Sequence, residues 1–144
     1  MCTYKIEPAD LSDFYKMADN STESGKPDYE LFKDATKRKL VLNGEPIVLM
    51  GYQDMDLADE EGKYVRCRVL AGMFRKDINQ HTRAVVEFGR KYLESICGVY
   101  PVVAMAVADN KVFNRFLKFM DFTDTEELER DEESGIMYHI YVRF

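Results

Sequence analysis

The sequence predicts an α/β domain whose central sheet is mixed and mostly antiparallel. Segments with the two-residue repeat of strands alternate with segments of helical repeat along the chain. Asn43-Gly44 lies between two apolar runs and is the strongest turn signal, which predicts an antiparallel hairpin. The chain of 144 residues is close to the commonest domain size, so we expect residues 1–144 to form one domain.

The chain begins with a predicted strand and helix. Residues 3–7 partly alternate apolar and polar side chains, and Pro8 ends this strand. An apolar stripe with helical spacing covers 11–18, and Asp10 is placed to cap that helix. The polar residues 20–27 then predict a loop.

A second helix and the hairpin follow. Asp28 is placed to cap this helix, whose core-facing side chains are Leu31, Phe32 and Ala35. Residues 40–42 and 47–50 predict the two strands around the Asn-Gly turn. The acidic run 54–62 is typical of a solvated connector.

The remainder of the chain predicts four more strands and two more helices. In chain order these are a strand over 64–74, a helix over 79–97, a strand over 101–107, a helix opening at Asp109-Asn110, and strands over 122–128 and 136–144. The strand over 101–107 is almost wholly apolar, which is typical of a central strand covered on both faces. About four helices therefore flank the predicted sheet.

Charge and composition argue against several classes of protein. The net charge of -6 disfavours nucleic-acid binding, because a protein that follows a phosphate backbone needs a basic surface. No apolar run approaches the roughly 18 residues of a membrane span, and the N-terminus lacks an apolar signal core, so we expect a cytoplasmic protein without a membrane partner. The three cysteines have no CxxC spacing and only two histidines are present, so no metal site is predicted.

The stretch 103–122 resembles the second-half motif of the GNAT superfamily of acyl-CoA-dependent N-acetyltransferases. A buried strand is followed by Asn110 and by a helix ending in Asp121-Phe122, where the family has a Gly-Phe pair. The spacing of twelve residues from Asn110 to Phe122 matches the family, and so does the order of elements along the chain. The helix segment 115–118 is also similar to the GNAT-like internal virion proteins of short-tailed bacteriophages.

The resemblance implies that acetyl-CoA lies between two separating strands, with its pyrophosphate at the N-terminus of the helix near residue 79. Helix N-termini attract anions, and active members add glycines so that the backbone approaches the phosphates. Here the turn 75–82 contains no glycine, and the charge of Asp77 opposes phosphate binding. The candidate cofactor-binding residues are Arg75, Lys76, Asn79, Gln80, His81, Thr82, Arg83 and Asn110. The competing interpretation is a basic, solvated helix start, with His81 at the helix start and Asn110 as a helix cap.

The resemblance also implies a general acid that protonates the departing thiolate, commonly a Tyr on the helix after the buried strand. At that position the chain has Leu117, which cannot donate a proton. Tyr138, Tyr141 or a water molecule are the alternatives, and packing is the competing role for a strand tyrosine. Asp54, Asp56 and Glu7 are the candidates for a general base, and a solvated acidic loop is the competing interpretation for Asp54 and Asp56.

The missing glycines, Leu117 and the similarity of 115–118 to phage proteins together favour a GNAT-fold protein of phage type with an eroded acetyl-CoA loop. Such a protein would be a virion-associated or host-interacting accessory with a protein partner, little or no acetyl transfer and no required cofactor. The alternative is an active acetyl-CoA-dependent N-acetyltransferase that acts on an amine. A third hypothesis, a protein-binding module, fits the acidic charge but has no motif to support it.

Overall fold

The computed structural model describes residues 3–18, 32–33 and 35–144. Their strands form one seven-stranded sheet in the order β1-β2-β3-β4-β5-β7-β6. The elements are β1 (Tyr4–Pro8), α1 (Leu11–Ala18), β2 (Thr36–Leu42), β3 (Glu45–Ala58), β4 (Tyr64–Phe74), a 3₁₀ helix (Ile78–His81), α2 (Thr82–Ile96), β5 (Val102–Val107), α3 (Lys111–Phe119), β6 (Thr123–Arg130) and β7 (Met137–Arg143). All neighbouring strands are antiparallel except β4 and β5, which confirms the predicted mixed α/β sheet.

The described residues contain three α-helices rather than about four. The helix predicted to begin at Asp28 falls largely on residues outside the described ranges. Phe32 and Ala35 are described and buried, as predicted for its core-facing side. None of the helices in the described ranges is long and apolar enough to cross a membrane.

Strand β3 is longer than predicted, which corrects the connector expected over 54–62. It runs to Ala58 in continuous register with β4, so that Asp54 lies opposite Arg68 and Asp56 opposite Arg66. The charged groups of these two pairs approach to 3.1 and 3.5 Å. Opposite charges that face each other across antiparallel strands stabilise the pairing, so these aspartates are strand residues.

Helices pack on both faces of the sheet. Because side chains alternate across a strand, β4 contributes to two clusters of buried residues. Leu70 and Phe74 pack with residues of α2 and α3. Ala71 and Met73 pack on the opposite face with residues of α1. Strand β4 therefore lies at the centre of the molecule.

Helix α3 has well-defined ends, which orient it beside β5. The Asn110 Oδ1 atom accepts a hydrogen bond from the Phe113 N–H at 3.2 Å, which confirms the predicted N-cap. The helix ends at Phe119, and Asp121 follows with a φ of 65°, in the left-handed region. The N-cap holds the start of α3 a few residues beyond the end of β5.

Candidate functional site

Strands β4 and β5 pair over only three residues and then separate. The parallel ladder joins 68–70 of β4 to 102–104 of β5. Beyond it, β4 continues to Phe74 alongside β3, and β5 continues to Val107 alongside β7. We call the opening between 71–74 and 105–107 the strand cleft.

The β4 side of the strand cleft presents backbone N–H groups that none of the described strands pairs with. The Arg68 N–H donates toward β5, to the Pro101 carbonyl at 2.9 Å, whereas the Arg75 N–H donates toward β3. Backbone groups alternate in direction along a strand. The N–H groups of Gly72 and Phe74 are therefore directed to the β5 side, beyond the end of the ladder.

Asn110 lies near the end of the strand cleft, in the connection between β5 and α3. Its N–H donates to the Val107 carbonyl at 2.9 Å, and the residue is only 3% exposed. The Oδ1 atom caps α3, but none of the residues that the structure describes gives the buried Nδ2 atom a hydrogen-bond partner. An unsatisfied buried donor costs about 1–3 kcal/mol, so Nδ2 is a candidate donor to a ligand.

Asn114 and Tyr141 hold the end of β5 in place. The Tyr141 hydroxyl donates to Asn114 Oδ1 at 2.7 Å, and Asn114 Nδ2 donates to the carbonyls of Val107 and Asn110 at 2.9 and 2.7 Å. Burial, together with the charge of Asp124, raises the pKa of Tyr141. Tyr141 therefore serves to position this end of β5, and its proton is committed to Asn114. Sequence reasoning missed Asn114, whose only signal is its place one helical turn after Asn110.

A small pocket of about 80 Å³ lies between the N-terminal half of α2 and the length of α3, and we call it the helix pocket. Phe74 and Val85 contribute to its apolar wall, and its polar lining consists of Asn79, Thr82 and Arg115. Asn79 and Thr82 were predicted as cofactor-binding residues. Arg115 was not, since the sequence does not show that α3 directs it toward α2.

The turn before α2 holds its charged groups in internal pairs. Arg75 donates to both carboxylate oxygens of Asp77, at 2.6 and 2.8 Å. This hydrogen-bonded pair lowers the pKa of Asp77 and raises the pKa of Arg75. His81 Nδ1 lies 2.8 Å from the Tyr4 hydroxyl, and its Nε2 lies 3.6 Å from Asp77. Arg75 and His81 are therefore engaged within the protein.

The other predicted residues of this turn are exposed. Lys76, Gln80 and Arg83 lie on the surface. Helix α2 begins at Thr82 rather than near residue 79, because a 3₁₀ turn precedes it and buries Ile78. The structure thus brings only part of the predicted phosphate site to the helix pocket.

The catalytic candidate Asp54 does not lie at the strand cleft. It is paired with Arg68, which also donates to the carbonyl of Ile96 at the end of α2, at 2.9 Å. Arg68 precedes Gly72 by four residues, a separation of about 13 Å along a strand. Asp54 therefore stabilises the far end of the sheet. Leu117, at the expected position of a general acid, is fully buried in the core.

On the sheet face opposite α2 and α3, the strand cleft borders a larger pocket of about 590 Å³, the acidic pocket. Its floor is formed by Val69, Leu70, Met105 and Tyr138, and its rim by the consecutive residues 129–133. Met105 is 37% exposed, so β5 is not covered on both faces as its composition predicted. Tyr138, the other catalytic candidate, lies on this floor.

A mixed seven-stranded sheet whose parallel pair separates beside a helix N-terminus is the fold of the GNAT acetyltransferases. NAA60 from Arabidopsis thaliana with a bisubstrate analogue has a TM-score of 0.71 at 13% identity, covering 99% of both chains. Its complex with acetyl-CoA has a TM-score of 0.65 at 14% identity, with the same coverage.

Two bacterial acetyltransferase structures are similar to this chain in fold. The ribosomal-protein-S18-alanine N-acetyltransferase from Escherichia coli has a TM-score of 0.63 at 14% identity, covering 97% of this chain and 92% of that one. A GNAT-family acetyltransferase from Streptococcus pneumoniae has a TM-score of 0.65 at 9% identity, covering 98% of both. No protein-family model and no curated protein sequence matches the chain. The likeness therefore shows the fold, and the resemblance to phage virion proteins gains no support.

Proposed function

We propose that the protein binds acetyl-CoA in the strand cleft and transfers the acetyl group to an amine. The strand cleft itself supports this most directly, since a strand edge with unpaired N–H groups adjoins the buried, unpartnered amide of Asn110. The pantetheine arm of acetyl-CoA contains amides, which can pair with a strand edge as a peptide does. The similar fold of Arabidopsis NAA60 has been solved with acetyl-CoA.

Two separate groups of residues would bind this cofactor. The N–H groups of Gly72 and Phe74, with Asn110 Nδ2, would hold the pantetheine arm. Arg115 would meet the phosphates at the mouth of the helix pocket, where it lines the wall opposite Thr82. Without glycines in the turn, side chains replace the backbone as the main phosphate ligands.

The chemistry requires little beyond positioning. Bound acetyl-CoA supplies an activated thioester. The protein orients the amine, keeps water from the strand cleft and supplies a proton for the departing sulfur. Tyr138 is the candidate proton donor, because its side chain lines the acidic pocket on the acceptor side.

The second candidate function is the one that the sequence favoured, a retained fold with little or no acetyl transfer. The observation in its favour is the turn before α2, where Arg75 is closed onto Asp77 and no glycine is present. In this candidate the protein is a virion-associated or host-interacting accessory, its partner is a protein, and no cofactor is required.

Calorimetric titration of acetyl-CoA separates the two candidates. We expect binding with a Kd in the range of about 1–100 µM, and a loss of about tenfold in Asn110→Ser, because one hydrogen bond to the ligand is removed. Serine still caps a helix, so the fold is retained and the melting temperature of the variant is the control. Absence of binding at millimolar acetyl-CoA in the wild-type protein would leave the second candidate.

A further inference from the structure

We propose that the acceptor is a short aliphatic oligoamine, meaning a primary amine joined by methylene groups to at least one more cationic amine. The inference rests on the proposed function, since it assigns the acidic pocket to the acceptor of that same reaction. It is based on the shape, charge and hydrogen-bonding capacity of this pocket.

The rim of the acidic pocket carries a strong excess of negative charge. Among the described residues that line it, the carboxylates are those of Glu129, Asp131, Glu132 and Glu133, and the one cation is Arg130. Four negative charges and one positive charge give a net charge of -3 around one concavity. A concave surface lined by one sign of charge concentrates ligands of the opposite sign. The rim therefore selects cations.

The rim has a defined geometry. Asp131 begins the turn between β6 and β7, accepts the Ser134 hydroxyl at 2.6 Å and takes the Gly135 N–H on its carbonyl at 2.7 Å. The Ser134 hydrogen bond lowers the pKa of Asp131, so this carboxylate stays ionised at neutral pH. The neighbouring carboxylates project from an ordered turn.

The floor of the acidic pocket is apolar where Val69 and Met105 line it. Methylene groups between two amines can pack on such a floor while the amines reach the carboxylates. A peptide would bring a carbonyl group with each residue, and these need donors. Among the described lining residues, the side-chain donors are Arg130 and Tyr138, because carboxylates only accept. An oligoamine presents donors alone, and these match the carboxylates of the rim.

The acidic pocket also lies where an acceptor must react. Leu70 ends the β4 ladder and Met105 begins the separated part of β5, so the floor adjoins the strand cleft. An amine on the floor loses one proton to solvent or a rim carboxylate, and its nitrogen then forms the amide bond as the carbon–sulfur bond breaks. Tyr138 gives its proton to the departing thiolate and takes up the second proton of the attacking nitrogen. The distal ammonium stays at the rim.

The test is a calorimetric titration of spermidine into the full chain without CoA. We expect the double variant Glu132→Gln, Glu133→Gln to bind spermidine about fivefold more weakly, since two exposed charge pairs are lost. Glu60→Gln, Glu61→Gln is the matched control, because it removes the same charge from the β3–β4 turn at the opposite end of β4. We expect the control to bind as the wild type does.

Two outcomes would overturn the inference. Equal weakening in both double variants would show that spermidine responds only to overall charge. Tighter binding of a lysine-containing peptide of equal charge would assign the acidic pocket to a peptide instead. Because the titration contains no CoA, a failure of spermidine to bind is measured separately from a failure of acetyl-CoA to bind.

Discussion

At the scale of single residues, Asp121 stands where the GNAT motif has glycine and adopts a glycine-like conformation. Its φ is 65°, and the turn is closed by hydrogen bonds from Asp121 N–H to the Lys118 carbonyl and from Phe122 N–H to the Leu117 carbonyl. The last of these is 3.0 Å long and ends α3. A left-handed residue with a Cβ atom is strained, and glycine relieves that strain.

We therefore expect Asp121→Gly to raise the free energy of unfolding by about 0.5–1 kcal/mol, measured by urea denaturation. Asp109→Gly is the matched control, because Asp109 is an exposed turn residue without a positive φ. Glycine there only adds freedom to the unfolded chain and lowers stability. A loss of stability in both variants would show that contacts of the Asp121 side chain outweigh the strain of its backbone.

Residue roles were predictable from the sequence where they depend on neighbours in the chain. The cap formed by Asn110 follows from its place before a helical apolar run, and the structure confirms it. The unpartnered Nδ2 atom of the same residue depends on what surrounds it in three dimensions. Likewise, the pairing of Arg75 with Asp77 depends on the dihedral angles of the turn, which the sequence does not specify.

At the scale of elements, the contact between α2 and α3 depends on Gly89. A Cβ atom at this position would lie 2.6 Å from Phe116 Cε2 and 3.2 Å from Met120 Sδ. Phe116 also packs on Phe74, with ring centroids 5.2 Å apart. The ring is therefore held on both sides, and the close approach of the helices also forms the helix pocket.

We expect Gly89→Ala to lower the free energy of unfolding by about 1–3 kcal/mol, since a buried methyl group would displace the Phe116 ring. This loss has to exceed the gain of about 1 kcal/mol that alanine brings to a helix. Glu94→Ala, at an exposed position of α2, is the control and should change stability little. Increased stability in Gly89→Ala, measured by thermal unfolding, would show that α3 can move away.

Element types were predictable because each strand and helix has its own hydrophobic repeat, whereas some boundaries were not. The acidic residues after Tyr52 looked like a connector, but cross-strand arginines keep them in β3. The apolar sequence of β5 suggested coverage on both faces, but Met105 borders the acidic pocket. Both errors have one cause, which is that the partner of each strand is distant in sequence.

At the scale of the whole molecule, the strand cleft follows from the two neighbours of β4. Along β3 it stays paired from Tyr64 to Phe74, whereas along β5 its pairing ends at Leu70. The order of elements could be predicted from the sequence, and the strand order β5-β7-β6 with its short parallel ladder could not. This strand order depends on how α2 and α3 pack against one face of the sheet.

This asymmetry predicts an alternating pattern of amide hydrogen exchange along β4. The N–H groups of Ala71 and Met73 are directed to β3, whereas those of Gly72 and Phe74 are directed to the strand cleft. We expect the latter pair to exchange at least about tenfold faster, because paired amides exchange only after local opening. Leu70, whose N–H faces β5 within the ladder, is the internal control and should be protected.

Acetyl-CoA should slow exchange at Gly72 and Phe74 and leave Ala71, Met73 and Leu70 unchanged, if its pantetheine arm pairs with the free edge of β4. Exchange followed by NMR with and without the cofactor measures this directly. Uniform protection from Leu70 to Phe74 in the protein alone would mean that the edge is already occupied. Binding in calorimetry without added protection at these two amides would place the cofactor elsewhere, away from the separated strands.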